Sequence, residues 1–115
     1  FCKKYYLNYL FLTALLTVEP GEPEINVNDS EIEPSFIILK WTPPSNNGGS
    51  QVIDYKVIVK DDDQKRILSP VTGNQTVIDK LKPRWSYTFI LSARNIVGYG
   101  KSVSRTLTTK FKGTL

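Results

Sequence analysis

Residues 36–57 read FIILKWTPPSNNGGSQVIDYKV, and the order of residue types in this stretch decides the fold. Ile37, Leu39 and Trp41 alternate with Ile38 and Lys40, the period of two that sends one set of side chains to a single face of a β-strand. Pro43 and Pro44 then remove two backbone donors and stop pairing, and Gly48-Gly49 supplies a turn. In the run that follows, Ile53, Tyr55, Val57 and Val59 share one parity while Asp54, Lys56 and Lys60 share the other, with Ile58 the exception. Two such runs joined by a Pro/Gly loop imply an antiparallel sheet with one dry and one wet face. Phe36 and Ile38 leave the outer face of the first run unusually apolar, which calls for a partner or a covering segment.

The pattern repeats along the chain. Tyr87, Phe89, Leu91 and Ala93 point one way while Thr88, Ser92 and Arg94 point the other. Strands are expected at residues 24–28, 35–42, 51–60, 65–69, 75–80, 86–95 and 102–110, separated by Pro, Gly, Asn and Asp clusters. No stretch sustains a period of 3.6. The fold class is therefore all-β, a sandwich or barrel. With 115 residues, 40% apolar and 23% charged, the chain is expected to bury one core and form one domain.

Composition excludes much chemistry. There is no His, which removes the imidazole general base, the Ser/His/Asp and Cys/His nucleophile pairs and any His-containing zinc site. Cys2 is the single cysteine, so no intrachain disulfide can form and burial alone must hold the fold. Asp61-Asp62-Asp63 lacks the alternating acids, the Gly and the terminal Glu of a calcium loop, and Gly98-x-Gly100 leads into a strand and not a helix, so it cradles no phosphate. No catalytic residue, metal ligand or cofactor is expected. The charge is uneven: Glu19, Glu22, Glu24, Asp29, Glu31 and Glu33 stand in residues 19–33 without a cation, whereas 13 basic and 5 acidic residues follow position 33. Such a surplus attracts anions, but the cations are scattered and no nucleic-acid signature accompanies them.

Residues 5–16, YYLNYLFLTALL, form an apolar run behind Lys3 and Lys4. It matches the charged and apolar regions of a secretory signal but lacks a good cleavage site and is shorter than the roughly 20 residues that span a bilayer. A truncated signal peptide, a segment docked on a neighbour in a longer protein and a gene-prediction artefact are the three readings. The absence of Met adds the expectation that the sequence is a piece of something longer. EPGEPE, residues 19–24, has the composition of a linker or domain start. The expected organisation is a hydrophobic N-terminal segment over 1–18, one domain over 19–110 and a tail over 111–115.

Three clusters in order, residues 36–57 above, LKPRWSY at 81–87 and SARNIVGYGKS at 92–102, together resemble a fibronectin type III domain over roughly residues 20–110. The resemblance implies a seven-stranded immunoglobulin-like β-sandwich without a disulfide. In that fold Trp41 fills the space between two sheets about 10 Å apart, and Tyr87 matches the tyrosine corner, whose hydroxyl bonds to backbone a few residues upstream. Tyr55, Leu81, Phe89 and Ala93 complete the expected structural core. Asn95 could orient the following loop through its amides. The last loop, Ile96 to Lys101, carries no Arg-Gly-Asp tripeptide, so integrin recognition by that route is excluded.

What the resemblance implies about function is a non-catalytic spacer and protein-binding module of a larger cell-surface adhesion or receptor protein. An intracellular muscle-type scaffold and an accessory domain of a receptor enzyme are the alternatives. Partners are then other proteins and neighbouring domains of the same chain, with no nucleic acid. Trp85 and Tyr99, taken to lie on loops, are candidate aromatic anchors. Asn28-Asp29-Ser30 and Asn74-Gln75-Thr76 fit the N-glycosylation pattern and point to an extracellular or cell-surface location. Lys56, Lys60 and Arg94, with Lys65 and Arg66 nearby, form the candidate anion patch for heparin-like glycans.

Overall fold

A computed structural model describes residues 16–113; the apolar run at 5–15 lies outside the described residues. The strands are β1 (Glu24–Ile25), β2 (Glu31–Ile32), β3 (Ile37–Thr42), β4 (Asp54–Lys60), β5 (Lys65–Val71), β6 (Gln75–Ile78), β7 (Ser86–Arg94) and β8 (Tyr99–Thr108). They form two antiparallel sheets. In the smaller, β1 and β2 both pair with one side of β3 and β6 pairs with the other; the larger runs β5-β4-β7-β8. Among the described residues there is no helix.

Each of the seven expected runs holds a strand, but the first keeps only Glu24–Ile25, and β2 is an unexpected short strand that also pairs with β3. Glu24 lies opposite Thr42 but Glu31 lies opposite Ile38, so the register against β3 slips by three residues between β1 and β2. The cause is a turn over residues 26–30. The Asn26 carbonyl accepts the amides of Asp29 and Ser30 as well as the Ser30 hydroxyl, whose oxygen also accepts the Lys40 amide. A strand expected over 24–28 is thus only two residues long, because local side-chain hydrogen bonds compete with the ladder.

Alternation places the core well. Ile37, Leu39 and Trp41 from β3, Tyr55, Val57 and Val59 from β4, and Tyr87, Phe89, Leu91 and Ala93 from β7 are buried between the sheets. Ile53 does not join them. It precedes β4 and is 53% exposed, since at the end of the sandwich neither sheet covers it. Asp54 lies on the outer face, as its parity with Lys56 implies, but is buried there in its fork with Arg94. Trp41 stands against Tyr55 with ring centroids 5.3 Å apart and planes tilted by 58°.

The corner between the sheets is built from three chain segments. The Tyr87 hydroxyl oxygen accepts the Lys82 amide at 2.8 Å, and buried Thr109 accepts the Trp85 amide while donating to the Lys82 carbonyl. Nothing in the local sequence marks Thr109 for this part, because its partners lie more than twenty residues upstream. Tyr87→Phe removes the side-chain acceptor of the Lys82 amide and is expected to cost about 0.5–1.5 kcal/mol, read as a lower urea midpoint; an unmoved midpoint would show that the corner does not depend on this bond.

The chain's lead-in is bonded to the sandwich. The Val18 amide donates to the Gly48 carbonyl at 2.9 Å and the Gly21 amide to the Asn46 carbonyl at 2.8 Å. Asn95, fully buried, donates from Nδ2 to the carbonyls of Val18 and Asn47 and accepts the amides of Val97 and Gly98 on Oδ1. All its amide capacity is used, as burial of a polar group requires. Its reach extends beyond its own loop, 77 residues back along the sequence.

Candidate functional site

The outer face of the larger sheet carries an arrangement that a merely solvated surface does not need. Ile58 of β4 lies opposite Ile67 of β5 on one side and Ile90 of β7 on the other. Three isoleucines therefore form a row across adjacent strands, with Ile67 59% exposed. The next residues of this face are polar: Lys60, Lys65, Thr88 and Thr106 on one side of the row, and Lys56, Ser69, Ser92 and Ser102 on the other. β-branched side chains in cross-strand register stabilise the sheet, and the exposed Ile67 end of the row offers an apolar contact.

The polar flank of the row on the Lys56 side is roofed by Tyr99. This residue begins β8 and is not on a free loop; its ring crosses the sheet so that its hydroxyl meets the Ser69 hydroxyl of β5 at 2.8 Å. The Lys56 ammonium lies 4.5 Å from the ring centroid and the Arg94 guanidinium 5.9 Å. Arg94 also forks onto Asp54, with Nε–Oδ1 at 2.9 Å and Nη2–Oδ2 at 2.6 Å. The fork holds the Asp54 carboxyl below its ordinary range: the hydrogen bonds from Arg94 are the main cause, opposed by partial desolvation and aided by the guanidinium charge. The same pairing raises the Arg94 pKa.

Since Asp54 titrates lower in the folded chain than unfolded, the stability it contributes is complete above the unfolded carboxylate value, near 3.8, and is lost as pH falls through the depressed native value. Asp54→Asn is expected to cost about 1.5–3 kcal/mol at neutral pH and to flatten acid unfolding below pH about 4. Equal steepness in wild type and variant would contradict the assignment.

The residues of the candidate anion patch, Lys56, Lys60 and Arg94, share the outer face of the larger sheet but are spread along it. Lys56 and Arg94 sit beneath Tyr99, Arg94 with its charge met by Asp54. Lys60 stands at the other end of β4, opposite Lys65. Arg66 turns to the other side of β5 and pairs with Asp79. Trp85 is also tied in: its Nε1 donates to Asp61 at 3.0 Å and the Lys82 ammonium lies 4.7 Å from its ring centroid. Asp61, set aside above as a calcium-loop residue, organises its hairpin by accepting the amides of Asp63 and Gln64. Those two bonds and the Trp85 N–H hold its carboxyl below the usual range. An Asp followed at two and three residues by turn amides was the available signal. Asn28 and Asn74 are both exposed on turns. Among the described residues no three His, Cys, Asp or Glu side chains are grouped to hold a metal.

Comparison with known proteins agrees with the geometry. The human protein "Target of Nesh-SH3" is 30% identical over 90 residues, covering 73% of this chain and 8% of that protein. Titin of Drosophila melanogaster is 29% identical over 87 residues and human ephrin type-A receptor 5 is 27% identical over 94, covering 72% and 80% of this chain. The chain spans no more than 9% of any of these relatives. Among solved structures, a fourth FNIII domain of a human protein superposes with a TM-score of 0.69 at 19% identity, covering 85% of this chain and 86% of that one. Domains A168–A170 of titin give 0.65 at 21%, covering 82% and 32%. The family model described as "Fibronectin type III domain" matches residues 21–110, most of the chain, and with two sheets in the order found here the protein belongs to the fibronectin type III family.

Proposed function

We propose that this chain is a non-catalytic protein-interaction and spacer module of a larger cell-surface adhesion or receptor protein, with the outer face of the larger sheet as its contact surface. The observation that carries this reading is the cross-strand Ile67–Ile58–Ile90 row, exposed at Ile67 and half-buried at Ile58 and Ile90, on an otherwise polar face. Apolar centres with polar rims are where binding energy concentrates. The exposed Asn28 and Asn74 acceptors and the ephrin-receptor relative support the cell-surface host. Tests of the face and of the host are separate. A photo-crosslinking amino acid at position 67 of the parent protein should capture a protein that the same probe at position 77, on the opposite sheet, does not. Equal capture, or none, removes the assignment of the face. Glycan on Asn28 or Asn74 of the native protein, seen as a mass shift on enzymatic deglycosylation, is expected for the cell-surface host.

A second reading, an intracellular filament scaffold, is favoured by the titin relative. Unmodified Asn28 and Asn74 in native material would favour it over the first.

A further inference from the structure

The end of the sandwich where the chain leaves holds a charged cluster that neither the sheet face nor the sequence reading uses. Residues 80–85, KLKPRW, and 110–112, KFK, are distant in sequence but joined in space by the Arg84 amide donating to the Lys110 carbonyl at 3.2 Å and the Thr109 amide donating to the Trp85 carbonyl at 3.0 Å. This brings together Lys80, Lys82, Arg84, Lys110 and Lys112, all exposed and none in an ion pair among the described residues. The carboxylates around them are largely committed. Asp79 pairs with Arg66, and Asp61 accepts the Trp85 indole and two turn amides. Glu33 meets the corner through its carbonyl, which accepts the Lys110 amide, and Asp62 and Asp63 lie on the adjoining β4–β5 hairpin.

Two further observations set this cluster apart. Lys80 and Arg84 have φ of 57° and 52° and are the only positive-φ residues other than glycine among those described. Glycine or asparagine adopts that conformation at least cost, yet both positions hold cations; strain kept at particular side chains points to use of those side chains. The cations are also interleaved with partly exposed rings. Phe111 is 47% exposed beneath the Arg84 guanidinium, 5.2 Å from the ring centroid, and Trp85 is 37% exposed beside Lys82.

We infer that this end of the module docks on an anionic lipid surface, which in a cell is the cytoplasmic leaflet, an inference that therefore rests on the second, intracellular reading, with Arg84, Lys110 and Lys112 meeting headgroup phosphates and carboxylates and Phe111 entering the interface. A sulfated glycan would engage the cations but gain little from the rings, whereas a bilayer interface accepts ring and cation at the same depth. A pole also presents both segments to a flat surface at once.

The test is flotation of the full chain with vesicles of phosphatidylcholine alone or with about 30% phosphatidylserine. Binding should require the anionic lipid and weaken with salt. Because residues 5–16 are themselves apolar, variants of the full chain are compared with one another. Lys110→Glu with Lys112→Glu should reduce anionic-vesicle binding by well over ten-fold, at about five-fold for each cation lost. Phe111→Ser should reduce it without altering retention on a heparin column. Arg84→Gly removes a charge and relieves the positive φ, so it should weaken binding while the melting temperature holds or rises. Binding that ignores phosphatidylserine, or that falls with the lysines but not with Phe111, would overturn the inference, the latter in favour of a pure polyanion site. Absence of binding to either vesicle would overturn it as well.

Discussion

Trp41→Ala is expected to lower the unfolding free energy by about 3–5 kcal/mol, the largest effect of any single core truncation in this chain. Trp41 is 2% exposed and joins the two sheets through its contact with Tyr55. No disulfide shares that task, since Cys2 is the single cysteine. A domain of this size has only about 5–15 kcal/mol of stability to lose, so the variant should melt far lower and populate unfolded chain at physiological temperature. The indole N–H adds a sharper expectation. It is buried with no acceptor at bonding geometry among the described residues; the Tyr55 hydroxyl is near enough to be influenced by it, yet burial dominates and pushes the Tyr55 pKa up. Trp41→Phe therefore discards an unsatisfied donor together with ring volume, and the two effects oppose one another. Its cost should be well under half that of Trp41→Ala in the same urea titration. Equal costs would mean that the N–H finds a partner in solution.

The second large effect is expected at Gly48. Its φ of 78° disfavours any side chain, and a Cβ there would overlap the carbonyl oxygen of Val18 and come within 2.7 Å of that of Glu19. Those are backbone atoms and cannot swing aside as a side chain would. Gly48→Ala should cost about 2–4 kcal/mol through strain, overlap and loss of the lead-in hydrogen bonds. The site of damage distinguishes this from general destabilisation: the Val18 and Gly21 amides should lose hydrogen-exchange protection first, while those of β4 and β7 keep theirs. Gly100→Ala should reproduce the pattern without the φ term, because its Cβ would overlap the Pro20 carbonyl oxygen. Unchanged protection at Val18 and Gly21 in both variants would show that the lead-in is not held this way.

The residues legible in the sequence were those whose environment repeats with the strand period. Alternation in β3, β4 and β7 finds Trp41, Tyr55, Val57, Tyr87, Phe89 and Ala93 because burial there depends only on which side of a pleat a residue falls. Where burial depends on what covers a strand's end, parity does not decide it: Ile53 is exposed, and Asp54, although on the outer face, is buried in its fork with Arg94. Hydrogen bonds between distant segments were likewise illegible. Asn95 reads as a loop residue, but half of its amide serves Val18 and Asn47. Tyr99 reads as an anchor on a loop, but a two-strand crossing to Ser69 turns it into a roof. The cationic corner is the clearest case. KLKPRW and KFK are individually unremarkable basic stretches, and only the closure of β8 onto the β6–β7 connection puts them side by side.

The bonded lead-in also sets how tension enters the module. A pull on the N-terminal side reaches Val18 and Gly21 before it reaches β1, and their bonds to Gly48, Asn46 and Asn95 must break before the pull can act on the sheet. These contacts lie ahead of the core along the line of force, so they act as a first yield point. Extension from that side should begin with release of a few residues of slack while Trp41 and its neighbours remain packed, so the first step in a force trace should be small and precede loss of the core.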